Sequence, residues 1–182
     1  MEKGYRDYGH DMDNTDTLLE VGLGFTADLT KVGGFIGKEA HMRQKASMKN
    51  PSIGLSKRLV QVLCLDPHQM LHHGEVLWRD GVVVGDVRTA SYGHTLGGAV
   101  GLALVENVVR GANTENTTVN TANTTNTPNS GAGAGGGGRA VGPVDKAFLQ
   151  SGRWEVEVAG ARFPVRVSLA PMYDAKNARI KA

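Results

Sequence analysis

Val76-Leu77-Trp78-Arg79-Asp80-Gly81-Val82-Val83-Val84 is the stretch on which the fold turns. Two β-prone runs flank an Asp-Gly pair, the strongest short-range hairpin signal, because both residues tolerate the positive φ that a tight hairpin turn demands. Strand candidates extend outward from this hairpin. Lys57 to Leu65 is rich in Val and Leu, Glu75 to Trp78 forms the first arm, and Asp86 to Ser91 and Ala99 to Val105 follow. Further along, Trp154-Glu155-Val156-Glu157-Val158 alternates with period two, Ala159-Gly160 turns, and Arg162-Phe163-Pro164-Val165-Arg166-Val167 alternates again. Pro164 has no N–H for a ladder, so this returning strand is expected at a sheet edge or with Pro164 at a bulge. Five or more short strands at close spacing predict a small antiparallel barrel or sandwich over roughly residues 52 to 174. The segment from about Phe35 to Met48 is built of good helix formers and stops at Asn50-Pro51, which makes the fold class α+β.

From about Gly111 to Pro143 the composition changes to Asn/Thr repeats and then a run of glycine and alanine. Such a stretch has almost no large apolar side chains to offset its ordering entropy, so disorder is expected there. It reads as a long surface loop between two strands. The Asn-Thr-Thr triplets at 116 and 123 match the glycosylation acceptor pattern, but repeats of these two residues produce that pattern by chance.

The 182 residues carry a net charge of +2, from 20 basic and 18 acidic side chains interspersed without long like-charge runs, so nucleic acid and membrane surfaces are not the expected partners. The single cysteine, Cys64, lies in an apolar run, which excludes a disulfide framework or a thiol zinc site. His68, His72 and His73 with Asp66 resemble a metal cluster in composition, but adjacent histidines on a strand face opposite ways and do not share one ion. No stretch approaches 18 consecutive apolar residues, and the first residues show no apolar signal region.

Four segments carry a resemblance. Glu2-Lys3-Gly4-Tyr5-Arg6-Asp7-Tyr8-Gly9-His10-Asp11-Met12 with Thr17-Leu18-Leu19-Glu20-Val21-Gly22-Leu23-Gly24-Phe25-Thr26 opens the chain, and Asp28-Leu29-Thr30-Lys31 with Phe35-Ile36-Gly37-Lys38-Glu39-Ala40 follows. Trp78 to Gly85 with Tyr92-Gly93-His94-Thr95-Leu96-Gly97 comes next, and Pro171-Met172-Tyr173-Asp174 lies near the end. In this order and spacing they resemble the carboxyl-terminal part of the folate-binding aminomethyltransferase family (glycine cleavage T-protein), and within it the sarcosine and dimethylglycine dehydrogenases. Two departures stand out: the family's Thr-Pro-Leu-Glu is Thr17-Leu18-Leu19-Glu20 here, and the Asn/Thr/Gly insert has no counterpart.

The resemblance implies that residues 1–50 are the end of a folate-binding domain and that residues 51–182 form a carboxyl-terminal β-barrel domain interrupted by the insert. Met1 would then fall inside a domain that the family treats as continuous, and the chain is expected to be a fragment whose first thirty residues pack poorly. The resemblance implies tetrahydrofolate as cofactor and, in the parent protein only, FAD on a preceding flavin domain. The parent would join the one-carbon unit of an oxidised N-methyl amine to tetrahydrofolate as the 5,10-methylene derivative. The catalytic aspartate of the family lies before the matched segment.

Glu2 matches the glutamate that hydrogen-bonds the pterin, where a carboxylate can accept two parallel N–H donors. Lys31 falls near a basic position at the folate tail, and Tyr92 and His94 belong to a motif that either approaches the folate cleft or shapes a turn. Taken without the resemblance, Glu2 and Lys31 are ordinary surface charges. Two other readings stay open: a fragment of the glycine cleavage aminomethyltransferase itself, and a non-catalytic regulatory protein of the same architecture, like the regulatory subunit of pyruvate dehydrogenase phosphatase. The family's eukaryotic members set a mitochondrial matrix expectation for the parent.

Overall fold

The computed structural model describes residues 1–50, 54–108 and 141–181. Its strands are β1 (Lys57–Cys64), β2 (Val76–Arg79), β3 (Val82–Gly93), β4 (Gly98–Val108), β5 (Val141–Gly142), β6 (Trp154–Val158) and β7 (Ala161–Ser168), with helices α1 (Lys38–Ser47) and α2 (Lys146–Gln150). Six strands close into a barrel in the order β1-β7-β6-β2-β3-β4 and back to β1, with every pair antiparallel. Both hairpins read from the sequence are present, with Asp80 at φ 51° and Gly81 at 76° in one turn and Ala159 at 50° and Gly160 at 81° in the other.

Period-two alternation sorts the side chains of β1. Val60, Val62 and Cys64 point inward to a core that also holds Leu77, Val87, Ala103, Val105 and Val156, while Leu59 and Gln61 point outward. Strand β3 departs from this rule: Val84, Val87 and Ala90 all meet the core at a spacing of three. An extra residue, Val84, stands between the partners of Leu77 and Trp78, and another, Arg88, between those of Ala103 and Leu102. These bulges bend one continuous strand around the barrel wall, where the sequence reads as two runs, 82–84 and 86–91.

Pro164 does not lie on an edge strand, because β7 pairs with both β6 and β1. Its carbonyl accepts the N–H of Leu65 at 3.0 Å, so its missing donor faces the side where β1 has just ended and costs no ladder bond. Helix α2, absent from the sequence reading, is capped by Asp145 Oδ1 accepting from Phe148 N–H at 2.7 Å. It sets Phe148 and Leu149 against the barrel core, with the Arg79 guanidinium 4.3 Å from the Phe148 ring centroid.

The expected disorder of the Asn/Thr/Gly insert concerns residues that lie outside the described ones, apart from its last three. Those correct its boundary: Val141 and Gly142 pair with Val108 and Asn107, and the Pro143 carbonyl accepts from Asn107 Nδ2 at 2.8 Å. The insert therefore leaves and re-enters the fold at hydrogen-bonded neighbours, as a loop does.

The expectation of a poorly packed start is overturned for residues 1–23. Val21 is 1% exposed and packs with Leu59, Leu102 and Leu104 on the outer face of β1 and β4, joined by Met1, Met12 and Leu23. Pairing of β1 with β7 begins only at Gln61, and in the gap before it the Glu20 carbonyl takes the Leu59 N–H at 2.8 Å. Thr17 and Glu20 close a reciprocal turn, Thr17 N–H and hydroxyl donating to Glu20 Oε2 at 2.8 and 2.9 Å, so the bend forms without the family's proline. Residues 24–30 bury no side chain, and the same holds for the arm beyond them. Phe25, Val32 and Ile36 are almost fully exposed, and α1, shorter than the expected 35–48, buries no residue.

Candidate functional site

The β3–β4 hairpin tip, Gly93 to Gly98, and the first residues of the chain meet although they are more than ninety positions apart. Glu2 Oε1 accepts the backbone N–H of Thr95 and of Leu96, each at 2.8 Å. Gly93 makes room for it: a Cβ there would lie 2.6 Å from Val100 Cγ2 and 3.0 Å from Glu2 Oε1. Partial burial pushes the Glu2 carboxyl upward, but the Leu96 amide and then the Thr95 hydroxyl and amide outweigh it and hold the group below the ordinary glutamate range. Glu2 is thus an ionised carboxylate at neutral pH. One of its oxygens already holds two amides and no backbone amide of the described residues donates to Oε2, so a ligand would meet chiefly a single oxygen.

Three further contacts fix this residue. Gln61, 3% exposed on the outer face of β1, donates from Nε2 to the Met1 and Glu2 carbonyls at 3.0 Å each and accepts the Met172 N–H at 2.5 Å. Lys3 Nζ reaches the Asp174 carbonyl at 2.5 Å, Asp174 Oδ2 at 3.1 Å and Asn177 Oδ1 at 2.6 Å. Arg6 donates to the carbonyls of Val21 at 2.9 Å and Gly4 at 2.6 Å. The Pro171-Met172-Tyr173-Asp174 segment therefore lies against the opening segment, and β1 lies beneath both.

Of the four residues singled out in the sequence, Glu2 and the Tyr92–His94 motif come together and Lys31 does not join them. Tyr92 and His94 form an edge-on ring pair with centroids 5.2 Å apart. Neighbours on a strand face opposite ways, so Tyr92 projects from the face of the hairpin opposite Gly93, the position against which Glu2 lies. Glu2 touches the backbone of the motif rather than its rings. Lys31 is exposed in the turns between Asp28 and Gly34, and its side chain forms no hydrogen bond or ion pair with the other three among the described residues. The residue missed in the sequence is Gln61. Its signal was present: it is the lone amide inside Leu59-Val60-Gln61-Val62-Leu63-Cys64-Leu65.

The histidine-rich segment separates in space. His73 Nδ1 lies 2.6 Å from the Arg88 carbonyl, and the His72 N–H is taken by Glu75 Oε2 at 2.9 Å. Two cavities lie away from Glu2. One, of about 570 Å³, opens between α2 and β7 beside Leu65, Leu149, Trp154 and Val165; the other, of about 90 Å³, sits beside Leu55, Arg58 and Val144.

Comparisons with known proteins agree on one kinship. Residues 57–127 match the model of the glycine cleavage T-protein C-terminal barrel domain. The chain is 31% identical over 180 residues, 99% of its length and 16% of the relative's, to 4-methylaminobutanoate oxidase (formaldehyde-forming) of Paenarthrobacter nicotinovorans. It is 28% identical over 181 residues, 100% of its length and 16% of the relative's, to mitochondrial sarcosine dehydrogenase of Mus musculus. Over 108 residues, 59% of the chain and 27% of the relative, it is 44% identical to the aminomethyltransferase of a Clostridium botulinum strain. Among solved structures, the glycine cleavage system aminomethyltransferase T of Bartonella henselae superposes with a TM-score of 0.59 at 16% identity, over 92% of this chain and 35% of that one, which is a likeness of fold.

Proposed function

Because the chain carries a glycine cleavage T-protein C-terminal barrel domain and through it belongs to the aminomethyltransferase family, we propose that it is the tetrahydrofolate-binding, carboxyl-terminal part of a one-carbon-transfer enzyme. In this reading the parent oxidises an N-methyl amine and passes the one-carbon unit to tetrahydrofolate as the 5,10-methylene derivative. Two relatives matched over nearly the whole chain are named for N-methylated amines, which favours this branch. The chain spans 16% of their length, so the flavin domain and the rest of the folate domain belong to the part of the parent not represented here. Residues 1–50 are then the end of the folate domain and residues 51–182 the barrel domain.

The observation that carries the reading is the Glu2 carboxylate, kept ionised by two hairpin amides and the Thr95 hydroxyl, with its second oxygen bound by no backbone amide of the described residues. An aminopyrimidine edge donates N–H bonds to such a group, and a charged acceptor makes them about twice as strong as neutral pairs. Tyr92 and His94 flank the hairpin tip whose amides orient Glu2, and Lys31 supplies a cation on the exposed arm for the carboxylates of the folate tail. The residues thus suit the pterin half of tetrahydrofolate better than its tail. Tetrahydrofolate supplies the nucleophilic nitrogens of the transfer, and this chain orients the ring that bears them. FAD, in this reading, is held by the parent's flavin domain.

A second reading has its own support. The aminomethyltransferase match is the most identical of the three relatives, though over a shorter stretch, and it favours a glycine cleavage enzyme as the parent. The Glu2 geometry serves both. The test is calorimetric titration of the 182-residue chain and of Glu2→Ala with tetrahydrofolate. Binding by the wild type, weakened about tenfold or more in the variant by loss of one charged hydrogen bond, is the expected result. Equal binding by both proteins, or none by the wild type, contradicts the assignment.

A further inference from the structure

Among the described residues only Asp11, Gln61 and Glu155 are polar and buried. Glu155 pairs with Arg153 at 2.6 Å, and Asp11 accepts the Asp7 N–H at 2.7 Å within its own loop. Gln61 alone is spent on distant chain: its amide holds two carbonyls of the opening segment and one N–H of the 171–174 segment, 59 to 111 positions away. A buried amide that spends both donors and an acceptor site on backbone groups from two separate segments fixes those segments relative to the strand that carries it.

Gln61 stands where these bonds can orient Glu2. On β1 it is the Cα partner of Leu102, and β4 leads back through its own hairpin to Thr95 and Leu96. Strand β1 therefore carries the clamp on the Glu2 backbone while the neighbouring β4 leads from the donors that hold the Glu2 carboxylate. Gly4 keeps the clamp tight. Its φ of +63° closes the turn in which its N–H returns to the Met1 carbonyl at 2.8 Å, a backbone conformation that favours glycine, and a Cβ there would make only ordinary contact with Pro171 Cγ and Gln61 Nε2.

From this geometry we infer that Gln61 is a positioning residue for the Glu2 carboxylate, acting through the Met1 and Glu2 carbonyls and the 171–174 segment. The structural claim stands on these contacts alone; its consequence for tetrahydrofolate rests on the proposed function. Gln61 touches no ligand in this scheme. It sets where the second Glu2 oxygen points.

Backbone amide exchange of the full chain tests it, with Glu2→Ala as the reference that releases the Thr95 and Leu96 amides outright. Gln61→Met keeps the length and removes both the donors and the acceptor. Gln61→Glu keeps an acceptor for Met172 and removes the donors to Met1 and Glu2. Both should speed exchange of Thr95 and Leu96 about tenfold or more, while Val60 and Ala103 inside the barrel keep their protection. Thr95 and Leu96 unchanged in both variants overturns the inference. So does loss of protection at Val60 and Ala103 in both, since Gln61 would then be holding the barrel rather than Glu2. Titration with tetrahydrofolate separates this inference from the function beneath it. A wild type that binds while Gln61→Met weakens as Glu2→Ala does supports both; a wild type that does not bind sinks the function and leaves the exchange result to judge Gln61.

Discussion

Residues 1–23 and residues 24–50 are neighbours in sequence and opposites in packing. The first segment buries Val21 against β1 and β4, threads its backbone to Gln61 and Leu59, and ties Lys3 to Asp174 and Asn177. The second holds Phe25, Val32, Ile36 and Met42 out to solvent and carries a helix with no buried residue. Composition does not separate them, since both mix apolar and charged side chains. What separates them is whether a barrel face lies underneath. The segment that finds one carries Glu2, and the segment that does not carries Lys31, so the two candidate residues at the chain's start differ in how firmly they are held.

The largest expected effect tests the first half of that comparison. Val21→Ala removes two methyls from a fully buried site and should lower stability to denaturant by about 1–3 kcal/mol. A change near zero would place the opening segment with the arm that follows it. A smaller, pH-dependent effect comes from Glu2. Its carboxyl is lower in the folded protein than in the unfolded chain, so its contribution is full above the ordinary glutamate value and is lost as pH falls through the lowered folded one. The Thr95 and Leu96 amide resonances should move together over that acidic window, and Glu2→Gln should abolish the movement. The smallest effect belongs to the arm: Phe25→Ser and Ile36→Asp should leave chemical stability within about 0.5 kcal/mol of wild type. A loss above 1 kcal/mol in either would show that the arm packs after all.

The same contrast explains what could be read in the sequence. Val76 to Val84 and Trp154 to Val167 announce their hairpins because alternation and a tolerant turn are local properties. Strand β3 was harder to read as a unit, since its bulges at Val84 and Arg88 break the period that marks a strand. Helix α2 is five residues long and rests on the Asp145 cap and on burial of Phe148 and Leu149, too little pattern to register. The site divides the same way. Glu2, Tyr92 and His94 were reachable only through resemblance, because the bond that joins Glu2 to Thr95 spans 93 positions and leaves no periodic trace. Gln61 did leave one, as an amide in an apolar run, but what it binds depends on two segments that only the folded barrel brings together.

Amide hydrogen exchange of the unmodified chain tests the account most directly, because it asks whether the residues before Gly24 belong to the barrel. The N–H groups of Gly4, Asp11 and Val21, each hydrogen-bonded in the structure, should share much of the protection of Val60 and Ala103, while those of Val32 and Ile36 in the exposed arm should exchange nearly as fast as an unfolded chain. Protection in the opening segment no greater than in that arm would contradict it, and would leave Glu2 with no fixed place beside the hairpin.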